Sequence, residues 1–274
     1  MTSLKLRAAQ IRMHVVQMSA DARVAHVASA LSCTDILVAL YFSAARVAPE
    51  LVTDLTRDRV ILSKGHASAA LYACLAERGF FPPSWLATYA GNDSRLGEHP
   101  AVGILPGIEC STGSLGHGLG IGTGLALAAR LDGRSTRVFV VLSDGECNEG
   151  AVWESAMWAA RQSLGGLCAI VDANGLQATG RSNEITALEP LPDKWRAFGW
   201  DVTETDGHDV DGLAAILASP HGRPHAVIAR TIKGKGVSFM ENDLEWHYRP
   251  PSANDVARAL KELSDSCATL SSVR

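Results

Sequence analysis

The chain has 274 residues, with 25 Lys or Arg against 29 Asp or Glu and a formal net charge of −4. Hydrophobic residues make up 47% and charged residues 20% of the sequence, a composition that supports a sizeable core and excludes a disordered chain. Proteins that bind nucleic acid usually carry a basic surplus, which this chain lacks, so nucleic acid is not an expected partner.

Short β-branched runs alternate with helix-length segments along the chain. Strands are predicted at residues 60–62, 138–142, 167–171, 200–205 and 226–231. Helices are predicted at 4–18, 34–45, 67–78, 115–131, 152–163, 210–218 and 254–264. Because the strands alternate with helices and read as continuously apolar, we expect one α/β domain over residues 1–274, with a parallel sheet covered by helices on both faces. The Ser-rich tail, residues 264–274, is expected to fray.

Cysteine usage and hydropathy predict the compartment. The six cysteines are dispersed and form no CxxC pair, which argues against a zinc cage and favours reduced thiols. Lys5, Arg7 and Arg12 interrupt any apolar run of the signal-peptide kind. The uncharged stretch 110–129 is too rich in glycine and polar residues for a membrane helix. We therefore expect a cytoplasmic protein with no membrane contact.

A polar segment follows each predicted strand. In parallel α/β sheets the ligand binds beyond the carboxyl ends of the strands, so these segments are the first candidates for a binding site. They are Ser63-Lys64-Gly65-His66, Ser143-Asp144-Gly145, Asp172-Ala173-Asn174, Asp206-Gly207-His208 and Lys233-Gly234-Lys235-Gly236.

A run of alternating glycines matches neither the spacing of a dinucleotide-binding loop nor that of a P-loop. In a helix, Gly116, Gly120 and Gly124 would share one face, and Gly118 and Gly122 another. Each glycine costs roughly 1 kcal/mol relative to alanine in a helix, so a close backbone contact must offset the run. A neighbouring helix, a second chain or a cofactor could each provide that contact.

The two central strand ends predict a metal site. Asp144 follows one buried strand and Asn174 follows the next. A carboxylate and an amide oxygen, with the Leu176 carbonyl as a possible third ligand, suit Mg²⁺ or Ca²⁺. Gly145 lets backbone N–H groups approach a phosphate, and the helix that begins near Glu149 directs its positive end at the same anion. The pattern favours a metal–diphosphate ligand.

The segment from Ser143-Asp144-Gly145 to Asp172-Ala173-Asn174 resembles the thiamine-diphosphate signature, which begins Gly-Asp-Gly and ends at an Asn. Other segments resemble transketolases more narrowly, in the family's order, from about residue 10 to 251. They are Asp58-Arg59-Val60-Ile61-Leu62-Ser63-Lys64-Gly65-His66-Ala67, Glu98-His99-Pro100, Ser111-Thr112-Gly113-Ser114-Leu115-Gly116-His117-Gly118, Gly175-Leu176-Gln177-Ala178-Thr179-Gly180 and Lys233-Gly234-Lys235-Gly236-Val237-Ser238-Phe239-Met240-Glu241-Asn242 leading to Trp246-His247. The whole resembles the N-terminal subunit of transketolases split into two chains.

The resemblance implies a thiamine-diphosphate-binding fold and transfer of a two-carbon ketol unit from a ketose phosphate to an aldose phosphate. It implies thiamine diphosphate and Mg²⁺ as cofactors, held between two domains. This chain resembles only the domain that binds diphosphate and Mg²⁺. We therefore expect it to be inactive without a separate C-terminal, pyrimidine-domain subunit, and to assemble as two copies of each chain. The glycine run is a candidate contact surface in that assembly.

Residue roles carry over by position in the motifs. The implied Mg²⁺ ligands are Asp144, Asn174 and the Leu176 carbonyl. The implied cofactor-binding residues are His66, Gly113, Ser114, Leu115, Gly145, Glu146, Asn174 and His247. The implied catalytic residues are His26, His66, His99 and His247, which surround the donor's hydroxyls and reacting carbons, and Glu149, which faces the partner's activating glutamate. Histidine titrates near neutral pH, so such a cluster can exchange protons with substrate.

Four positions depart from the family pattern. Ser143 replaces the first glycine of Gly-Asp-Gly, and its side chain could either crowd the diphosphate or donate a hydrogen bond to it. Ala25 and Tyr248 stand where glycine is usual, and His117 stands where glutamine is common. Tyr248 adds bulk at the entrance. These changes bear on substrate identity more than on cofactor binding, and an unusual acceptor is an open hypothesis.

Two rival functions remain at this stage. One is another thiamine-diphosphate enzyme, such as a deoxyxylulose-phosphate synthase or the α subunit of an oxo-acid dehydrogenase. The other is a degenerate, non-catalytic subunit, for which Ser143 is the main support. His26, His99 and the run from Thr112 to Gly116 favour a transketolase.

Overall fold

A five-stranded, fully parallel sheet forms the centre of the molecule, in a computed structural model that describes residues 2–272. The strand order is β1-β2-β3-β5-β4, and every neighbouring pair is parallel. The strands are β1 (Arg59–Leu62), β2 (Val138–Ser143), β3 (Leu167–Ala173), β4 (Asp201–Asp206) and β5 (His225–Arg230). This confirms the predicted fold class and places all five strands within a residue or two of the prediction.

Helices connect the strands, and further helices precede the first strand and follow the last one. They are α1 (Leu4–Ala22), α2 (Val27–Ser32), α3 (Thr34–Ala39), α4 (Ser68–Glu77), α5 (His117–Leu131), α6 (Gly150–Arg161), α7 (Ser182–Ile185), α8 (Leu191–Ala197), α9 (Val210–Ala218) and α10 (Ala253–Ser272). The predicted helix at 34–45 changes after Ala39 to a π-helical segment, Leu40–Ala44. The tail expected to fray is helical as far as Ser272, and residues 273 and 274 lie outside the described residues. Between residues 2 and 272, no helix combines the length and the apolar character needed to cross a membrane.

The sheet separates two hydrophobic cores, because successive residues of a strand point to opposite faces. In β2, Phe139 and Val141 pack into the core formed with α1, α2, α3, α4, α9 and α10. Val138, Val140 and Leu142 pack into the opposite core with α5, α6 and α8. Helices therefore cover both faces of the sheet, as the sequence predicted.

The prediction that every strand is continuously apolar is wrong for β4. This strand lies at the edge of the sheet and pairs only with β5. Its residues Asp201, Thr203 and Glu204 are partly or fully exposed, and Glu204 pairs with Arg230 on β5. An edge strand has one open side, so it tolerates polar residues that a central strand excludes.

The alternating glycines of α5 pack on one face against the sheet and on the other against the neighbouring helix α6. A Cβ at Gly118 would clash with Ser63 Oγ, and one at Gly122 would lie 2.5 Å from Val140 Cγ2. On the other face, a Cβ at Gly120 would lie 3.2 Å from Ser155 Oγ, and one at Gly124 would meet nothing within 4 Å. The close approach of α5 to the sheet therefore explains Gly118 and Gly122 but leaves Gly124 without an internal reason.

We expect Gly122→Ala to lower the free energy of unfolding by about 1–3 kcal/mol, because the added methyl group meets a stiff β-branched side chain in the sheet. Gly124→Ala is the matched control on the same helix. It should raise the free energy of unfolding of the isolated chain by up to about 1 kcal/mol, since alanine favours the helix. Urea unfolding of both variants measures the difference, and equal effects would contradict the packing described here.

His225, at the start of β5, is expected to make the fold sensitive to acid. Its ring is 2% exposed, stacks on His221 with the centroids 3.7 Å apart, and lies 2.9 Å from Thr203 Oγ1 through Nε2. Burial, with His221 beside it, lowers the pKa of His225 to about 4. An unfolded histidine has a pKa of about 6.5, so between about pH 6.5 and pH 4 the unfolded state binds a proton at this residue and the folded state does not. Stability should therefore fall as the pH drops from about 6.5 to about 4.

His225→Gln should make that fall shallower, because glutamine keeps a polar group near the position of Nε2 and does not titrate. Urea unfolding between pH 4 and pH 7 gives the slope for each protein. Thr203→Val is the control, since it removes the hydrogen bond and leaves the titrating ring in place. Equal slopes for the wild type and His225→Gln would show that this ring is not responsible.

Candidate cofactor and active site

A cavity of about 360 Å³ opens at the carboxyl ends of the strands. The segments that follow β1, β2, β3 and β5 all contribute to its wall, together with residues from the N-terminal helices and from the loop before α5. Among the described residues, the segment after β4 does not reach the wall. Four of the five polar strand ends predicted from the sequence therefore meet at one site.

Asp144 lies at the cavity wall, directly after β2, and is held by three donors. Its Oδ2 accepts from the Gly175 N–H and from Ser182 Oγ, both at 2.8 Å, and its Oδ1 accepts from the Gly145 N–H at 2.9 Å. Burial raises the pKa of Asp144, although these hydrogen bonds counteract the effect. A buried carboxylate with a raised pKa favours a nearby cation.

Asn174 and Leu176 line the same cavity from the segment after β3. Asn174 Nδ2 points to Asp172 Oδ2 and Ser32 Oγ, both at 3.3 Å, which leaves Oδ1 as the acceptor end of the amide. The Leu176 N–H donates to that Oδ1 at 3.0 Å. The three predicted oxygen ligands are one carboxylate, one amide and one carbonyl. They lie in the two segments that follow β2 and β3, at the same cavity.

The diphosphate end of the predicted site is built on the turn between β2 and α6. Gly145 lines the cavity, and a Cβ there would lie 2.9 Å from Gln177 Cγ. Ser143 Oγ accepts from the Glu146 N–H at 3.2 Å. The serine that replaces the usual glycine therefore stabilises its own turn with its hydroxyl.

Glu146 does not line the cavity. It is fully buried, and its carboxylate accepts from Ser63 Oγ, from the Gly116 N–H at 2.8 Å and from the Ser143 N–H at 3.3 Å. Burial raises its pKa. In this structure Glu146 ties the segment after β1 and the start of α5 to the turn after β2, which differs from the direct cofactor contact expected from the sequence.

Four histidines from distant parts of the chain meet in the same cavity. The ring centroid of His26 lies 5.2 Å from that of His66, 6.5 Å from that of His99 and 5.1 Å from that of His247. Those of His66 and His247 lie 6.0 Å apart. All four histidines line the cavity, so the structure brings together the whole predicted cluster.

Burial keeps three of these rings neutral. It lowers the pKa of His26, lowers that of His66 well below the usual value, and lowers that of His247 to about 3. Nearby cations add to the effect, chiefly Lys64 for His66 and Lys233 for His247. Neutral imidazoles can both donate and accept hydrogen bonds, which suits contact with sugar hydroxyls.

His26 is held in a strained conformation at the start of α2. Its φ angle is 73°, in the left-handed region that side chains rarely adopt. The His26 N–H donates to the His247 carbonyl at 2.8 Å, and its buried Nδ1 has no hydrogen-bond partner, with Glu98 Oε1 3.6 Å away. Such strain, with an orphaned polar atom beside a cavity, is typical of functional sites.

The loop before α5 supplies one wall of the cavity. Gly113 has a φ of 148°, and a Cβ there would lie 2.8 Å from His99 Cδ2, so only glycine lets the ring lie so close. Gly113 and Leu115 line the cavity, whereas Ser114 is exposed and does not. Two of the three predicted residues of this loop therefore face the site.

Glu149 and Tyr248 lie at the open side of the cavity. Glu149 is exposed at the N-terminus of α6, with its Cβ beside Gly116. Tyr248 is 63% exposed, and its ring packs edge-on against His247 at 4.7 Å and His26 at 5.9 Å. Both side chains are therefore accessible from outside the cavity.

Sequence reasoning did not assign roles to two buried lysines at the site. Lys233 Nζ donates to the carbonyls of Leu176 and Gln177, both at 3.2 Å, and lies 2.8 Å from His247 Nδ1. Lys64 also lines the cavity, and its Nζ pairs with Asp172 Oδ2 at 2.5 Å. Burial, with Lys64 nearby, lowers the pKa of Lys233 to about 8. The signal was present, since both lysines lie in the polar strand ends predicted to hold the site.

The residues present fit a bound Mg²⁺–diphosphate. The oxygen set of Asp144, Asn174 and the Leu176 carbonyl matches the hard ligands that Mg²⁺ takes, with space left for water and phosphate oxygens. Within residues 2–272, no group of three or more His, Cys, Asp or Glu forms an alternative metal centre. Lys233 adds a buried cation that suits an anion in the same cavity.

The fold and the site together define a thiamine-diphosphate-binding domain of the α/β type. Residues 4–267 match the family described as transketolase, thiamine diphosphate binding domain. The chain belongs to the transketolase family and corresponds to the N-terminal subunit of transketolases that are split into two chains.

Relatives of two lengths support this. A chain of the apulose-4-phosphate transketolase of Actinobacillus succinogenes, itself named as one subunit, is 42% identical over 96% of each chain. The 6-deoxy-6-sulfo-D-fructose transketolase subunit of a Clostridium strain is 41% identical over 82% of each. Human transketolase is 34% identical over 95% of this chain, which spans 42% of the human protein. A solved Pichia stipitis transketolase mutant superposes with a TM-score of 0.89 at 26% identity, over 98% of this chain and 44% of that one.

Proposed function

We propose that this chain is one subunit of a transketolase and that it binds Mg²⁺ and the diphosphate of thiamine diphosphate. Together with a separate pyrimidine-domain subunit, it transfers a two-carbon ketol unit between sugar phosphates. The observation that carries the proposal is the single cavity in which the oxygen set of Asp144, Asn174 and Leu176 faces a cluster of four histidines. A subunit that only bound the cofactor would need the oxygen ligands but not the histidine cluster.

The two groups of residues in the cavity would have different tasks. Asp144, Asn174 and the Leu176 carbonyl would hold Mg²⁺, and Gly145 and Lys233 would contact the diphosphate. The chemistry that thiamine diphosphate supplies when bound is a nucleophile for the ketose carbonyl and an electron sink for cleavage of the adjacent carbon–carbon bond. The rings of His26, His66, His99 and His247 would orient the donor's hydroxyls and accept or return their protons.

The partner chain would complete the site on its open side. Glu149 is exposed there at the N-terminus of α6, which supports its proposed contact with a glutamate of the partner. We also propose two copies of each chain. The outward face of α5 and α6 supports a contact surface, because Ile121, Met157 and Trp158 are 40%, 53% and 43% exposed and Gly124 lacks an internal packing reason.

A reconstitution experiment tests the function. The purified chain with thiamine diphosphate and Mg²⁺ should show no ketol transfer, and addition of a matching pyrimidine-domain subunit should produce turnover. The pyrimidine-domain chain by itself is the control. Full activity of the present chain without that partner would refute the requirement for one. A reconstituted complex that binds thiamine diphosphate but acts only on 2-oxo acids would refute the transketolase assignment.

Tyr248 is expected to restrict the substrate at the cavity entrance, because its ring packs on two of the four histidines. Among similar proteins, one is named for apulose 4-phosphate and another for 6-deoxy-6-sulfo-D-fructose, so unusual ketoses deserve testing. Tyr248→Gly should change the ratio of kcat/KM between such a ketose and xylulose 5-phosphate by about tenfold or more. Tyr248→Phe, which keeps the ring, should leave the ratio near wild type. An unchanged ratio in the glycine variant would remove Tyr248 as a selector.

A further inference from the structure

His208 lies outside the cavity but links the N-terminal helices to the segment that carries Lys233. It belongs to the segment after β4, the one strand end that does not line the site. Its Nδ1 lies 2.7 Å from Asp35 Oδ2 on α3, and its Nε2 lies 2.8 Å from the backbone nitrogen of Ile232. A histidine that bridges two distant segments with both ring nitrogens is not explained by ordinary loop polarity.

The hydrogen bonds fix the tautomer of this ring. The Ile232 N–H can only donate, so Nε2 must be the unprotonated acceptor. Nδ1 therefore carries the hydrogen and donates to Asp35. Asp35 is buried and is itself held by Arg12, whose Nη2 lies 2.5 Å from Oδ2 and whose Nη1 lies 3.2 Å from Oδ1. The ring is thus oriented by a buried ion pair.

The other end of this link is one residue from the cavity. Ile232 directly precedes Lys233, whose buried Nζ contacts the carbonyls of Leu176 and Gln177 and the ring of His247. Beyond Lys233, the Gly234 N–H donates to the Ala28 carbonyl at 3.0 Å. The carbonyls of Ile232 and Lys233 accept from the Lys235 N–H at 3.2 Å and the Asn242 N–H at 2.9 Å, and the Thr231 N–H donates to the Ala173 carbonyl at 3.3 Å. The bond to His208 is the one that holds the Ile232 N–H, directly before the lysine.

We propose that His208 is a positioning residue of the cofactor site, which holds the Ile232 backbone so that the Lys233 ammonium group stays between the metal-site loop and His247. The inference rests on the proposed function, since it assumes that thiamine diphosphate binds in this cavity. A purely structural role would differ, because it would act through the bond to Asp35 and affect folding alone.

Two substitutions separate the two bonds of the ring. The side-chain nitrogen of His208→Asn would lie near the position of Nδ1, so this variant keeps a donor for Asp35 and loses the acceptor for Ile232. The amide of His208→Gln would lie near the position of Nε2, so this variant keeps an acceptor for Ile232 and loses the donor for Asp35. His221→Asn, at a histidine outside both the cavity and this link, is the control.

The first readout needs no cofactor. Hydrogen exchange of the Ile232 amide should be faster in His208→Asn than in the wild type and His208→Gln. The second is the affinity of the two-chain complex for thiamine diphosphate in the presence of Mg²⁺. It should fall about tenfold or more in His208→Asn and stay within about threefold in His208→Gln and His221→Asn, as expected for a residue that orients a ligand-binding group.

Four results would overturn the inference. The first is that His208→Gln loses as much affinity as His208→Asn. The second is that His208→Asn exposes the Ile232 amide yet binds the cofactor as the wild type does, and the third is that it fails to expose this amide. In these three cases the wild-type complex still binds thiamine diphosphate, so the proposed function survives. If the wild-type complex itself does not bind thiamine diphosphate, the proposed function fails and this inference fails with it.

Discussion

Asp144→Ala is expected to reduce the affinity of the two-chain complex for thiamine diphosphate and Mg²⁺ by more than about 100-fold, and turnover with it. The substitution removes the only carboxylate among the three predicted metal ligands, and changes to groups that merely support a ligand already cost about 10–100-fold. It also frees the Gly175 and Gly145 N–H groups that the carboxylate now holds. Isothermal titration with thiamine diphosphate at fixed Mg²⁺ measures the loss.

Graded variants make this result specific. Ser182→Ala removes one donor to Asp144 and should cost about tenfold in affinity without abolishing binding. Asp193→Ala changes an exposed carboxylate on α8 and should bind as the wild type does. EDTA should reproduce the Asp144→Ala defect in the wild-type complex. Wild-type affinity in Asp144→Ala would show that the metal ligands are elsewhere.

Much of the fold could be predicted because its signals are local. β2 and β3 are central strands buried on both faces, so they appear as uninterrupted apolar runs in the sequence. The short helices α2, α7 and α8 were missed because four to seven residues hold too few turns to show a periodicity. The polar composition of β4 shows only that it is not a central strand, and its edge position depends on the whole sheet.

The candidate site was predictable where its residues fall in polar strand ends. Asp144 and Asn174 directly follow strands, and His66 lies in the turn after β1. The topology of a parallel sheet brings such positions together. Glu146 could not be placed in this way, because whether a side chain in a tight turn points into a cavity or into the core depends on its neighbours. Its three donors come from Ser63, Gly116 and Ser143, and two of these are far away in sequence.

Lys64→Met is expected to lower the free energy of unfolding by about 3–5 kcal/mol, measured by urea unfolding without cofactor. Lys64 and Asp172 are both fully buried, and the substitution leaves Asp172 without its cation. Ser32 Oγ at 2.6 Å and Thr231 Oγ1 still donate to the carboxylate, but they carry no charge. Arg223→Met breaks an exposed pair with Asp201 and should cost no more than about 1 kcal/mol.

The effect of pH on this variant distinguishes a lost charge from lost packing. Burial alone would raise the pKa of Asp172, and Lys64 reverses this and lowers it. In the wild type, the carboxylate therefore contributes stability above its unfolded pKa of about 3.9, and that contribution disappears as the pH falls. Without Lys64 the pKa of Asp172 should rise. Acidification then protonates Asp172 in the variant and removes the cost of burying an unpaired charge. The difference in the free energy of unfolding between the wild type and Lys64→Met should narrow from pH 7 toward pH 4. A difference that stays constant would mean that the substitution destabilises the protein through packing alone.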